Sequence, residues 1–313
     1  MKTLIIPCAG RNFVNDRPRW TLYYPPKDIL LSKCIKTIGA AKYDRIIVTL
    51  IREDLKYISE EEIRQLLDVD FELYLLDAVT NGPAETVYKT VKAMKVFGTV
   101  HIKDIDIIFS SPDLEQNNFI SGIHLLNYES ELSNVKNKSF ITRNEQNVVL
   151  DIIEKTIKSD IISIGLYGFN DAMDFVNAYE QLIKSFAFGE VLYISHVISY
   201  LIAVENKVFN YYEVPQYESV ETEKEYEKTL RRKGLLIIDT SKVRLDKHLH
   251  ELKFMKEKGS GFIYLTPEEE FAEIRRFTEL NGIAGQMIRC NSKVNKKMIS
   301  SDEELKDVYI SAM

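Results

Sequence analysis

At 313 residues, with 45% hydrophobic and 28% charged residues, the chain has the make-up of a globular protein, not of a disordered segment or a fibre. That length suits one large α/β domain or, preferably, a domain of about 200 residues followed by a smaller one. The net charge of −6 argues against broad nucleic-acid binding, which calls for a basic face, while leaving room for a local basic pocket. The three cysteines, Cys8, Cys34 and Cys290, match no zinc spacing and read as reduced thiols. The opening apolar run is too short for a signal peptide and no later segment approaches a membrane span, so a cytoplasmic protein without membrane insertion is expected.

In chain order, Leu4-Ile5-Ile6-Pro7 reads as a buried strand that breaks into the turn Cys8-Ala9-Gly10-Arg11. Asn12 to Asp28, with Pro18, Pro25 and Pro26, is expected to be loop, and Ile29 to Ala41 has helical apolar spacing. Strands follow at Arg45 to Leu50, Phe71 to Leu76 and Thr99 to Ile105, separated by helices at Ser59 to Leu67 and Ala84 to Lys95. This alternation predicts a mainly parallel sheet covered on both faces. From Asn118 shorter strands are expected at 119–126, 139–142, 148–154, 161–169 and 208–214, with helices at 172–185 and 191–205. The charge-dense run Glu218 to Lys233 reads as a solvated helix or linker, which sets the domain boundary there. The tail restarts as strand Leu235 to Asp239, helix His248 to Lys258, strand Gly261 to Leu265 and helix Pro267 to Asn281.

Several places suit chemistry. Asp104 and Asp106, where the fourth strand runs out, read as facing one way on an extended chain. They are either holders of Mg²⁺ against ligand phosphates or a solvated strand end with Lys103 as partner. The turn Asn81-Gly82-Pro83-Ala84-Glu85-Thr86 offers backbone N–H groups at a helix start, for a base edge or a phosphate, or is an ordinary capped turn. Glu154-Lys155 reads as an exposed ion pair or a phosphate anchor. The five histidines have no partner at metal-ligand spacing. Neither a Gly-x-Ser-x-Gly elbow nor a P-loop is present.

Taken together and in order, Leu4-Ile-Ile-Pro-Cys-Ala-Gly-Arg, Arg17-Pro-Arg-Trp-Thr-Leu, Pro83-Ala-Glu-Thr-Val-Tyr, Ile102-Lys-Asp-Ile-Asp, Glu154-Lys155 and Gly165-Leu-Tyr-Gly-Phe resemble the bacterial sugar-nucleotidyltransferase family of the GT-A type, in the branch found with capsule and surface-polysaccharide genes. The resemblance covers residues 1–226 and implies a GT-A-like, Rossmann-like mixed α/β sheet. By it, Ala9, Gly10 and Arg11 cradle a nucleoside triphosphate and Pro83, Ala84, Glu85 and Thr86 meet the base. Asp106, with Asp104 beside it, binds Mg²⁺ (or Mn²⁺). Glu154, Lys155 and Gly165 hold the second substrate, a phosphorylated sugar or small metabolite. The implied reaction is attack by that substrate's phosphate oxygen on the α-phosphorus, with pyrophosphate leaving.

Two positions depart from the family pattern. Arg19 stands where the loop Lys is expected, with Lys27 as a substitute cation. Ser219 stands where an Asp-Trp-Gly-Thr segment supplies a second metal-binding Asp, which leaves Glu218 or Glu221 to serve. Residues 227–313 resemble a degenerate haloacid-dehalogenase-like α/β domain: Asp239 matches its nucleophile and Thr266 its second motif. Ser241 replaces the acid/base Asp, and no Asp-Asp metal pair follows Ile288. The reading is a nucleotidyltransferase for surface-polysaccharide assembly or, alternatively, a catalytically degenerate nucleotide-binding protein acting as a non-catalytic partner. A homo-oligomer is compatible with either.

Overall fold

The apolar runs pair into one nine-stranded sheet. A computed structural model of the chain describes residues 1–10, 13–14, 17–24, 28–67, 69–110, 118–127, 135–186, 190–232, 235–257 and 260–289. Arg11, Lys27 and Cys290 lie outside the described residues, as does the stretch after Ile288 beyond Arg289. Across the sheet the strands follow the order Val149–Glu154, Ser139–Arg143, Ile161–Phe169, Thr99–Lys103, Lys2–Pro7, Arg45–Ile51, Glu72–Leu76. Phe119–His124 also pairs with Ile161–Phe169 and carries Asn210–Glu213 on its other side. The last four strands of the order are mutually parallel, and Ile161–Phe169 joins them antiparallel to Thr99–Lys103.

Parallel neighbours need crossovers, supplied by α1 (Leu30–Ile38), α2 (Glu60–Leu67) and α3 (Pro83–Ala93). Strand side chains alternate between faces. Ile5, Ile47, Val100 and Ile102 share one apolar cluster with Val87 and Val91 of α3, Phe175 of α4 (Ala172–Leu182) and Val197 of α5 (Ile194–Ala203). The alternate residues Leu4, Ile6, Ile46 and Val48 are buried on the opposite face, where α1 and α2 pack on each other. The fold is a mixed α/β sheet, mainly parallel at its centre, with helices on both faces.

Two segments differ from expectation. The 12–28 stretch is not plain loop: Phe13–Val14 pairs with Arg17–Pro18, Tyr23–Tyr24 pairs with Asp28–Ile29, and Arg19–Thr21 makes a 3₁₀ turn that buries Trp20. The fourth strand ends at Lys103, two residues before the expected Ile105. The cause is Lys103 itself, fully buried, whose Nζ donates to the carbonyls of Asp104 and Ile107 (2.7 Å to Ile107) and lies 4.9 Å from the Phe109 ring centroid. A buried ammonium must recruit oxygen acceptors, and here it recruits them by curling its own chain.

His101, on the same strand, is buried with Nδ1 3.1 Å from the Tyr43 hydroxyl and its ring edge-on to Phe119. Burial first, and then the charge of Lys2, push its pKa down to about 3. The folded protein therefore binds fewer protons here than the unfolded chain, so this contribution is complete above about pH 6.5 and is lost as pH falls towards about 3. Relative to His101→Leu, which cancels the titration of every other group, the wild type is expected to lose stability at about 1.4 kcal/mol per pH unit below pH 6.5. Paired urea melts across that range measure it.

The chain divides into two compact units, one of Met1–Leu22 with Leu30–Glu221, the other of Tyr23–Ile29 with the chain from Thr222 on. The division falls at 221/222 rather than at 226/227, which lies within α6 (Glu223–Arg232). The second unit holds a parallel sheet in the order Leu235–Asp239, Gly261–Thr266, Gln286–Arg289, with α7 (Leu249–Glu257) and α8 (Phe271–Leu280) as connections. The sequence reading missed the third of these strands, a four-residue run of mixed polarity. Among the described residues no helix is long and apolar enough to cross a membrane.

Candidate active site

A cavity of about 370 Å³ opens where the parallel strands end, and the described residues that line it belong to the first unit. Pro7 and Gly10 border it after the first strand, Asp104 and Asp106 after the fourth, and the Thr80–Pro83 turn at the head of α3. Glu154, Ser163, Gly165 and Tyr167 come from the antiparallel part of the sheet, Lys138 from just before Ser139–Arg143, Ser195 from α5, and Glu221 from further along the chain. The carboxyl ends of strands in an open sheet are where such folds place ligands.

Asp104 and Asp106 do not lie on an extended strand facing one way. With the strand closed off by Lys103, Ile105 and Asp106 form a turn, and both carboxylates border the cavity. Asp104 N–H donates to the Gly165 carbonyl at 2.8 Å. Gly165 has φ +71°, and a Cβ built on it would lie 2.7 Å from Asp104 Cβ, so only glycine leaves room for the aspartate. Burial, then the charge of Asp106, push the Asp104 carboxyl up to about 7; Lys103 opposes this, while Glu221 and Glu154 add to it.

Asp106 is held by Arg19. Arg19 Nη1 donates to Asp106 Oδ2, and Nη2 donates to the Glu221 carbonyl at 2.6 Å. Arg19 does not itself line the cavity. The carboxylate brought to the cavity by the 218–221 segment is Glu221, not Glu218. Glu218–Ser219 pairs with Ile107–Ile108, and Val220 N–H donates to the Asp106 carbonyl at 2.8 Å, which delivers the residue after it to the cavity. There Glu221 accepts from the buried Lys138 ammonium. The sequence reading singled out neither Lys138 nor its partnership, because 83 positions separate the pair. Hard oxygen donors for a divalent cation are thus present, but among the described residues no three Asp, Glu, His or Cys side chains form a metal cage.

The turn before α3 is less open than its sequence suggested. Asn81 N–H donates to Glu85 Oε2 (2.6 Å) and Ala84 N–H to the Leu192 carbonyl (3.3 Å), so both donors are committed. Glu85 also pairs with Lys89, and Ala84 is buried in the core. Pro83 and Thr86 do face the cavity. Gly82, at φ +120°, lets the chain pass Val191, whose Cγ1 would lie 2.7 Å from an added Cβ. Ala9 is buried beside Ile51 and Leu76, while Gly10 of that turn borders the cavity.

Glu154 is fixed by two hydroxyls, Ser139 Oγ (2.5 Å) and Ser195 Oγ (2.6 Å), both donating to Oε2. This leaves Oε1 as an acceptor for a ligand hydroxyl. Lys155, at φ +52°, turns away: its ammonium lies 4.2 Å from the Tyr193 ring centroid and donates to that hydroxyl, and it does not line the cavity. Tyr193 does.

No family model matches the sequence, and no curated protein matches it. Solved structures of nucleotidyltransferases share a GT-A-like fold with about three quarters of the chain. The nucleoside-diphosphate-sugar pyrophosphorylase from Vibrio cholerae RC9 is 22% identical with a TM-score of 0.61, covering 73% of this chain and 99% of that one. The inositol-1-phosphate CTP transferase from T. maritima is 12% identical with a TM-score of 0.57, covering 74% and 96%. A UDP-glucose pyrophosphorylase complexed with UDP-glucose is 15% identical with a TM-score of 0.55, covering 73% and 97%. At these identities the likeness is one of fold.

Proposed function

We propose that the chain is a cytoplasmic nucleotidyltransferase that moves a nucleotidyl group from an NTP to a sugar phosphate or small phosphorylated metabolite, releasing pyrophosphate, in surface-polysaccharide assembly. One observation carries this reading: a single cavity at the strand ends gathers a glycine turn, a helix N-terminus, and the carboxylates Asp104, Asp106, Glu154 and Glu221. The likeness in fold to sugar-nucleotide pyrophosphorylases and a CTP transferase supports it.

In this reading Gly10, Pro83 and Thr86 border the nucleotide, and Glu154 Oε1 accepts from a hydroxyl of the second substrate. Tyr193, steadied by Lys155, closes that side. A phosphate oxygen of the second substrate attacks the α-phosphorus; the new P–O bond forms as the bond to the β-phosphate bridge oxygen breaks, and pyrophosphate carries the charge away. The donor set suits a cation shared with phosphate oxygens better than a protein cage, since Asp104 and Asp106 offer hard carboxylates and Arg19 already engages one of them. Mg²⁺, or Mn²⁺, bound there would neutralise charge on the triphosphate. Holding the two phosphates in line is the protein's main task.

The second reading, a nucleotide binder without turnover, is favoured by the engagement of Asp106 by Arg19 and of Glu221 by Lys138, and by Ser219 in place of a carboxylate. In the second unit Asp239 Oδ1 accepts from both the N–H and the hydroxyl of Ser241, which suits a phosphatase-like remnant without an active nucleophile.

Thermal unfolding with each of the four NTPs, with and without Mg²⁺, identifies the nucleotide: a ligand at a hundred times its Kd stabilises by about 2.7 kcal/mol. Pyrophosphate release is then measured with that NTP across a panel of sugar phosphates. Release supports the enzyme. Stabilisation without release from any member favours the binder.

A further inference from the structure

We infer that Arg19 is a permanent counter-ion for Asp106 that keeps the ligand-free cavity from holding a divalent cation by itself, so that the cation enters only together with polyphosphate. The role of the polyphosphate rests on the nucleotidyl-transfer reading; the counter-ion role does not.

The guanidinium is fixed from behind. Its 3₁₀ turn is anchored by Thr21 Oγ1 on the Pro18 carbonyl (2.8 Å) and by the buried Trp20, whose Nε1 donates to Asp54 (3.4 Å). From there one nitrogen reaches Asp106 and the other the Glu221 carbonyl, while the cavity is lined by Asp106 and Glu221 and not by Arg19. The positive charge stands immediately behind the carboxylate that a cation would approach from the front. Both partners are little exposed, with side chains 13% and 16% accessible, so solvent and salt screen the charge weakly. A guanidinium presents a delocalised positive charge on a rigid fork of donors, which suits it to hold a carboxylate in a little-exposed pair.

The neighbouring carboxylates do not make up the deficit. Glu221 is paired with Lys138, whose side chain is 3% exposed. Asp104 and Glu154 remain, the latter with Oε2 already accepting from two serines, and two carboxylates without further protein donors are a poor site for a cation that keeps its water tightly. Phosphate oxygens supply the missing donors and negative charge together. Arg19 Nε is buried and has no hydrogen-bond partner among the described residues. The guanidinium is therefore held by charge and by two bonds, not by a complete donor set.

The test is a titration of the full chain with Mn²⁺ alone, read from the electron-paramagnetic-resonance signal of the free ion, with no nucleotide present. Wild type is expected to bind with a Kd above about 1 mM, and Arg19→Gln, which keeps hydrogen-bonding capacity and removes the charge, to bind one Mn²⁺ at least about tenfold more tightly. Arg19→Gln with Asp106→Asn is expected to return to the wild-type value. Arg19→Met, which retains the apolar stem, is the second variant, and melting curves establish which variants are folded. A wild-type Kd below about 100 μM overturns the inference, as does a folded Arg19 variant that binds no tighter than wild type. Because no nucleotide is present, tighter Mn²⁺ binding in a protein that releases no pyrophosphate removes the enzymatic reading and keeps the counter-ion. Pyrophosphate release without that gain does the reverse.

Discussion

Asp106→Asn is expected to lower NTP-dependent pyrophosphate release by about 10³-fold while nucleotide still raises the melting temperature. Asparagine keeps the size of the side chain and an oxygen for Arg19 Nη1, so the turn after Lys103 retains its shape. What it removes is the negative charge at the cavity wall, and with it the carboxylate assigned to a cation shared with the triphosphate. Asp106→Ala is the less informative variant: it leaves the little-exposed Arg19 without its ion-pair partner, and breaking a buried pair costs about 3 to 5 kcal/mol. Rates measured at saturating NTP separate a failed chemical step from weakened binding. An Asp106→Asn protein that retains more than about a tenth of wild-type release removes Asp106 from the reaction.

Gly165→Ala is expected to destabilise the protein by roughly 3 kcal/mol and to disable the cavity even if the protein folds. The left-handed backbone accounts for about 1 to 2 kcal/mol of this. The remainder comes from overlap with the Asp104 side chain, since overpacking a closed site costs about 1 to 3 kcal/mol. For a protein of this size the melting temperature should fall by about 6 to 12 °C, as measured by calorimetry. Gly82→Ala is the natural comparison, because there the obstruction is Val191 and the Leu192 carbonyl, away from Asp104. If Gly165→Ala melts like wild type, Asp104 has freedom that its packing denies.

The sheet was legible because its central strands are buried on both faces and so appear as unbroken apolar runs, as in Leu4-Ile5-Ile6 and Ile46-Ile47-Val48. Places where strands end were legible too, and they put Gly10, Asp106, Glu154 and Thr86 around one cavity. Side-chain direction at those ends was not. Lys103 reads in sequence as a solvated charge, yet it is buried and reshapes the chain after it. Lys155 reads as an exposed ion-pair partner of Glu154 or as a phosphate anchor, yet it lies against Tyr193. Gly165 reads as a substrate contact, and its larger part is to make room for Asp104. The pairs Lys138–Glu221 and Ser195–Glu154 join residues 83 and 41 positions apart, and no local pattern encodes such meetings.

The assignment of Tyr23–Ile29 to the second unit has a consequence for how the chain is made. Seven residues near the beginning wait for partners that begin at Thr222, and the Tyr226 hydroxyl donates to the Tyr23 carbonyl at 2.7 Å. On the ribosome the first unit can gather its strands as they emerge, but this early loop stays unmatched until some two hundred later residues have been added. Cutting the chain at 221 would therefore not release a clean first unit; it would leave Tyr23, Tyr24 and Ile29 without the element they fold with.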